Sequence, residues 1–192
     1  MQRNVGKILF AVAVAVMLII VGALSYFYVN GGQTPYSGTE DDVLDTGTNP
    51  PAATVDLAPD FNYQTINGDY ISLSGLRGNV IILDFMAMWC QPCGAQMTYL
   101  NQIHEKYSSR GVTIISIDVD LSETRDNLLL YKAEKGAAWH FAFDADGIAS
   151  NPKYAASSIP TLAIIDKDGA LANRYVGVTN YETLSAAVDR LL

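Results

Sequence analysis

The chain is short of cysteine: two among 192 residues, too few for a disulfide-framed secreted scaffold or a four-cysteine zinc site. Bases are scarce as well, twelve Lys and Arg against twenty Asp and Glu, for a formal charge of −8. A nucleic-acid binder draws most of its affinity from neutralising phosphates, so that class is excluded. Only seven prolines, with 17% charged and 49% hydrophobic residues, exclude a wholly disordered chain. No internal repeat is present, so the length fits one ordinary domain with something added.

The addition is a stretch that lacks charge altogether. Ile8 to Val29 carries no Asp, Glu, Lys or Arg, and as a helix at about 1.5 Å per residue it would reach roughly 33 Å, enough to span a bilayer core. It closes on Tyr26, Phe27 and Tyr28, rings suited to the membrane interface. Arg3 and Lys7 precede it and the next base is Arg77, an asymmetry that places residues 1–7 in the cytoplasm and everything after Asn30 outside. A cleaved signal peptide is the rival reading, with Ala23-Leu24-Ser25 as the cleavage site, but its apolar core is typically about 7–15 residues. The length favours a single-pass anchor over 8–29. Residues 30–54 hold four acids (Glu40, Asp41, Asp42, Asp45), three prolines and no base, the composition of a solvated tether that cannot build a core. A domain is expected over 55–192. Without Arg3 and Lys7, ten bases face all twenty acids, so residues 30–192 carry −10.

Within that domain, Asn67-Gly68 signals a two-residue hairpin pairing Phe61–Ile66 with Tyr70–Leu73. The continuous apolar runs Val80–Phe85 and Val112–Ile117 suit strands covered on both faces. Helices are expected over Cys90–Tyr107, Glu123–Lys135, Asn151–Ala156 and Tyr181–Leu192, and further strands at Phe141–Phe143, Thr161–Ile165 and Ala170–Val176. Strand-helix-strand alternation ending in a hairpin and helix implies an α/β layer fold with a mixed sheet. Asp144-Ala-Asp-Gly147 and Asp166-Lys-Asp-Gly169 lack the donor spacing of a calcium loop and read as turns.

The two cysteines lie in Trp89-Cys90-Gln91-Pro92-Cys93, directly after a strand and at the start of a helix. Unpaired N–H groups and the helix dipole there favour a thiolate, which makes Cys90 the expected nucleophile. Cys93, one turn on and more covered, is placed to resolve a mixed disulfide at Cys90. Pro92 costs no hydrogen bond in a first turn. A structural bridge enclosing two residues would remove little loop entropy. A zinc site would need ligands that His104 and His140, thirty-six apart, are not spaced to supply. Inert core thiols are the third alternative; redox chemistry is favoured over all three.

WCQPC after a strand ending Asp84-Phe85, with Ile159-Pro160-Thr161 opening a later strand, resembles the thioredoxin fold. Ala58-Pro59-Asp60-Phe61, the leading hairpin, the anchor and the long stretch from Cys93 to Pro160 resemble the TlpA/ResA-like branch of extracytoplasmic thioredoxins in particular. The resemblance implies a mixed central sheet flanked by helices, with an N-terminal hairpin and an insertion before the cis-proline strand. It makes Pro160 the cis-proline, although X–Pro bonds in folded proteins are cis in only about 5–6% of cases, and it gives the Ile159 backbone a substrate strand to pair with. Trp89 becomes a shield and contact surface for the disulfide, where core filling is the other reading. Asp84 becomes a buried acid of raised pKa that accepts the Cys93 proton, against a simple role as a bonded carboxylate. Members of the branch often carry Glu and Pro where this chain has Gln96 and Thr98, so tuning by that carboxylate is absent and a less kinked helix is expected.

The implied function is thiol–disulfide exchange on exported cysteine-containing proteins, served by a membrane electron donor or acceptor. Reduction, as in cytochrome c maturation or metal-site assembly, is favoured by the resemblance; disulfide formation is favoured by the compartment. A Cu(I)-binding assembly factor is the non-enzyme alternative, two thiolates being soft ligands. A peroxidase of the peroxiredoxin type would need Thr or Ser and Pro where Ala87 and Leu83 stand. Neither the residues nor the resemblance calls for a cofactor or a resident metal.

Overall fold

The computed structural model describes residues 56–192. The anchor expected over 8–29 and the tether over 30–54 lie outside the described residues, among which no helix is long and apolar enough to cross a membrane.

A five-stranded mixed sheet forms the centre. Its strands are β3 (Val80–Met86), β4 (Val112–Asp118), β5 (His140–Phe143), β6 (Thr161–Ile165) and β7 (Leu171–Val176), in the order β5-β4-β3-β6-β7. β3 pairs parallel with β4 and β4 with β5; β6 and β7 run antiparallel. All seven β3 residues are buried, as a strand covered on both faces requires. β7, at the edge, alternates half-buried and exposed positions. Among the described residues three helices accompany the sheet: α1 (Gln91–Tyr107), α2 (Arg125–Glu134) and α3 (Tyr181–Asp189). A separate antiparallel pair, β1 (Asn62–Gln64) with β2 (Tyr70–Ser72), precedes it.

Strand alternation divides the core in two. Val80, Ile82 and Met86 of β3 face Cys93, Met97 and Leu100 of α1, Leu128 and Tyr131 of α2, and Leu184 and Val188 of α3. Ile81, Leu83 and Phe85 face Phe61, Tyr63, Ile71 and Tyr154 on the other side. Fully burying each Ile or Leu contributes about 1.5–3 kcal/mol. Asp84, at an even position of β3, therefore lies on the helix-covered face.

Three local expectations are corrected. The hairpin closes over three residues, not two: Thr65 N–H donates to the Asp69 carbonyl at 2.7 Å and Gly68 N–H to the Thr65 carbonyl at 2.9 Å, with Gly68 at φ 101°, which a side chain resists. No helix forms over 151–156. A short 3-10 turn at Ile148–Ser150 stands before it, Pro152 disfavours helical backbone at Asn151, and Asn151 Oδ1 accepts the Lys153 N–H at 3.0 Å in a side-chain turn. α2 starts two residues later than expected because Thr124 caps it, accepting from Asn127 N–H at 3.3 Å, which frees Glu123 for another contact. Both Asp-Gly segments are turns: Asp144 accepts Ile148 and Ala149 N–H groups, and Asp166 those of Asp168 and Ala170.

Candidate active site

β3 delivers the chain to a two-residue turn, and Cys90 then caps α1, its Sγ accepting the Cys93 N–H at 3.2 Å. Pro92 occupies the first turn of α1. Cys90 and Cys93 are joined by a disulfide with Cα atoms 5.2 Å apart. Both are buried, Cys93 completely. A thiolate at Cys90 would meet the N–H groups of a helix start, the environment that lowers a thiol pKa.

The other residues singled out from the sequence differ in burial and bonding. Trp89 is not core filling: it is 67% exposed, and its Nε1 donates to Asp120 Oδ2 at 2.9 Å. Pro160 is buried and Ile159 half-buried, the peptide bond between them is cis, and the Pro160 carbonyl accepts Gly177 N–H at 2.8 Å. Asp84 is fully buried. Its Oδ2 accepts from Ser116 Oγ at 2.8 Å, while Oδ1 has no hydrogen-bond partner within the protein. Burial pushes its pKa up to about 7, against the lowering effect of the Ser116 hydroxyl. Gln96 is also fully buried. Its side-chain amide exchanges two hydrogen bonds with the Thr179 backbone.

The β4–α2 loop was not singled out from sequence, yet it clasps the active-site turn. Val119 N–H donates to the Met86 carbonyl at 2.9 Å, and both Glu123 oxygens accept the Met88 N–H, at 3.2 and 3.0 Å. Buried Asp118 faces Glu123; burial, and then the hydrogen bond to Glu123, raise its pKa. Asp120, half-buried, is held below its ordinary range by Ser122 first and Trp89 after it. Asp-Val-Asp at a strand end followed by a helix was the available signal, but local sequence reads as capping and leaves the contact to residues 86–89 invisible. The two histidines, unassigned from sequence, line one cavity of about 200 Å³ with Trp139 and Ser108. Among the described residues, no group of three or more His, Cys, Asp or Glu is arranged to hold a metal.

The sequence profile of the AhpC/TSA family matches residues 55–174. A thiol–disulfide oxidoreductase ResA of Bacillus cereus is 31% identical over 134 residues, 70% of this chain and 76% of the relative. The chain belongs to the AhpC/TSA family. It is a thiol–disulfide oxidoreductase of thioredoxin-like fold, similar to the ResA proteins. The ResA of Bacillus thuringiensis subsp. konkukian is 28% identical across 100% of this chain and 99% of its own. A thioredoxin-family thiol:disulfide interchange protein from Chlorobium tepidum TLS superposes with a TM-score of 0.65 at 25% identity, over 73% of this chain and 98% of that one. Within the AhpC/TSA family, a peroxidase of the peroxiredoxin type needs hydroxyl and proline positions that are here Ala87 and Leu83, two fully buried apolar residues. The active-site helix is continuous over Gln91–Tyr107, and Gln96, at the position where members of the branch often carry Glu, is hydrogen-bonded to the Thr179 backbone.

Proposed function

We propose that this oxidoreductase reduces disulfides of exported proteins at the outer face of the cell membrane. It is held there by a single-pass anchor (8–29) with residues 1–7 cytoplasmic, a tether (30–54) and the redox domain (55–192). The observation that carries the chemistry is the Cys90–Cys93 pair at the start of α1, on the sheet face that also holds buried Asp84. The uncharged run over 8–29 and the bases before it support the location. The resemblance to the TlpA/ResA-like branch supports the direction.

In the reduced enzyme the Cys90 thiolate attacks one sulfur of the substrate disulfide. The substrate S–S bond breaks, a mixed disulfide forms, and the expelled substrate thiolate takes a proton. Asp84 accepts the Cys93 proton, and the Cys93 thiolate attacks Cys90 Sγ. The mixed disulfide breaks, the second substrate sulfur leaves as a thiolate and takes a proton, and the Cys90–Cys93 bond closes. Two electrons have passed to the substrate, so a two-electron donor in the membrane must restore the dithiol. Trp89 and the backbone of Ile159 offer the contact surface and the pairing strand for the substrate segment.

Trapping tests the reading. Cys93→Ser should hold exported cysteine proteins at Cys90 as mixed disulfides; recovery of none sinks it. The direction is tested by the reduction potential of the pair. A value near thioredoxin's, roughly −270 mV, supports reduction, and one near −120 mV reverses the assignment to disulfide formation.

A further inference from the structure

We propose that Trp139 and Ser116 form a one-way hydrogen-bond relay that positions Asp84 for proton transfer, leaving Oδ1 as the atom that takes and returns the proton. This rests on the proton-accepting role proposed for Asp84.

The relay is built by register. Asp84 and Ser116 are direct partners across the parallel β3–β4 ladder, so their side chains share the helix-covered face. Ser116 Oγ donates to Asp84 Oδ2 at 2.8 Å, and Trp139 Nε1 donates to Ser116 Oγ at 2.9 Å. All three residues are buried, Ser116 and Asp84 completely. An indole N–H can only donate, and a serine hydroxyl has one proton. With the indole N–H occupying a lone pair of Ser116, its proton is directed to Oδ2, and the whole chain points toward the carboxylate.

Two consequences separate this arrangement from ordinary core satisfaction. A donor chain ending on a carboxylate favours its ionised form, opposing the burial that favours the neutral one. It also fixes the carboxyl plane and occupies one oxygen, and the other oxygen has no partner within the protein. In the proton-accepting role proposed for Asp84, the carboxyl needs one open oxygen and a pKa that burial alone does not set.

The other ionisable groups facing Asp84 do not take over this role. From α1, Cys93 lies in the core on the same sheet face and is bonded to Cys90 in this structure. From α2 comes Tyr131, whose hydroxyl lies 3.9 Å from where a Cβ on Gly94 would stand, with Lys135 Nζ 5.2 Å from its ring centre. Its phenol is pushed up to about 12 by burial and then by the Asp84 charge, so it stays neutral when Asp84 titrates. β4 adds Asp118, two residues beyond Ser116, and β6 presents Leu162 opposite Asp84. Ser116 is the one side chain that donates a hydrogen bond to the Asp84 carboxylate among the described residues.

The test is the pH dependence of single-turnover disulfide-peptide reduction by the reduced full chain, with Asp84 followed in parallel by carboxyl 13C resonance. Ser116→Ala should move the midpoint of the acid limb and of the resonance upward by at least half a pH unit, about threefold in rate at pH 6. Trp139→Phe, which keeps the ring but frees the hydroxyl to rotate, should move both the same way by less. Adding Ser116→Ala to Asp84→Asn should change the pH profile no further. If Asp84→Asn itself leaves the acid limb in place, the proton-accepting role of Asp84 fails, and the relay with it. If Asp84→Asn abolishes the limb but Ser116→Ala and Trp139→Phe each leave both midpoints within 0.2 unit, the relay is overturned and Asp84 stands alone. Should Ser116→Ala not fold, the sign of the Trp139→Phe shift decides.

Discussion

Gln96 and Thr179 are locked together by two hydrogen bonds between residues 83 positions apart: the Thr179 N–H donates to Gln96 Oε1 at 2.7 Å, and Gln96 Nε2 donates to the Thr179 carbonyl at 3.1 Å. This ties the active-site helix α1 to the loop between β7 and α3. A carboxylate at 96 would keep the first bond and set an oxygen against the Thr179 carbonyl. Gln96→Glu should therefore match the parent below about pH 4, where a neutral acid can still donate, and lose about 1–3 kcal/mol by pH 8. Urea denaturation at the two pH values checks it; equal losses at both would show that the carbonyl contact does not matter.

Trp89 is 67% exposed beside a completely buried Cys93, so its indole contributes area to a partner rather than to the core. Trp89→Ala should change stability by less than about 1 kcal/mol. It should lower kcat/KM for a folded protein disulfide at least tenfold while leaving exchange with oxidised glutathione nearly unchanged. Parallel losses with both substrates would place Trp89 in the chemistry instead of recognition.

Glu123 holds the Met88 N–H, two residues ahead of Cys90. Glu123→Ala strands that donor and should cost about 1–2 kcal/mol. Glu123→Gln retains an acceptor and removes the charge that faces Asp118. The raised Asp118 carboxyl loses stability for the fold as pH climbs from its ordinary range toward its folded value, so Glu123→Gln should flatten that decline. Thermal melts from pH 5 to 9 test the pair: the glutamine variant should overtake the parent at the alkaline end, and a constant offset would exclude the Asp118 coupling.

The elements were legible where periodicity is strong. Continuous apolar runs marked β3 and β4 as doubly covered, and the position of Cys90 just past a strand marked the helix start that caps on its sulfur. Partnerships set by register were not legible. Asp84 could be read as an odd acid in an apolar strand, but that Ser116 stands opposite depends on the length of the crossover through α1. Likewise nothing local in Ser122-Glu123-Thr124 distinguishes a residue that caps α2 from one that reaches back to Met88, and both roles are present, split between Thr124 and Glu123. No helix forms over 151–156 because Pro152 disfavours helical backbone at Asn151, whose side chain instead closes a turn on the Lys153 N–H.

Asp84 imposes a pH dependence on stability whose sign can be worked out. Its carboxyl titrates near pH 7 in the fold, chiefly through burial, and near 3.8 when unfolded. Below about pH 4 both states hold the proton and the group contributes no difference. Between the two values the folded state binds a proton that the unfolded state has released, so stability falls with rising pH by up to about 1.4 kcal/mol per unit. Above pH 7 the ionised carboxylate remains buried and the cost is constant. Asp84→Asn removes the titration and keeps a side-chain oxygen for the Ser116 hydroxyl. The variant should be close to the parent at pH 4.5 and more stable at pH 8, by on the order of 3 kcal/mol. Urea unfolding of the disulfide form at both pH values measures the difference of differences, which cancels the decline due to Asp118; the same pH dependence in parent and variant would mean that Asp84 is ionised throughout and too weak a base to take the Cys93 proton.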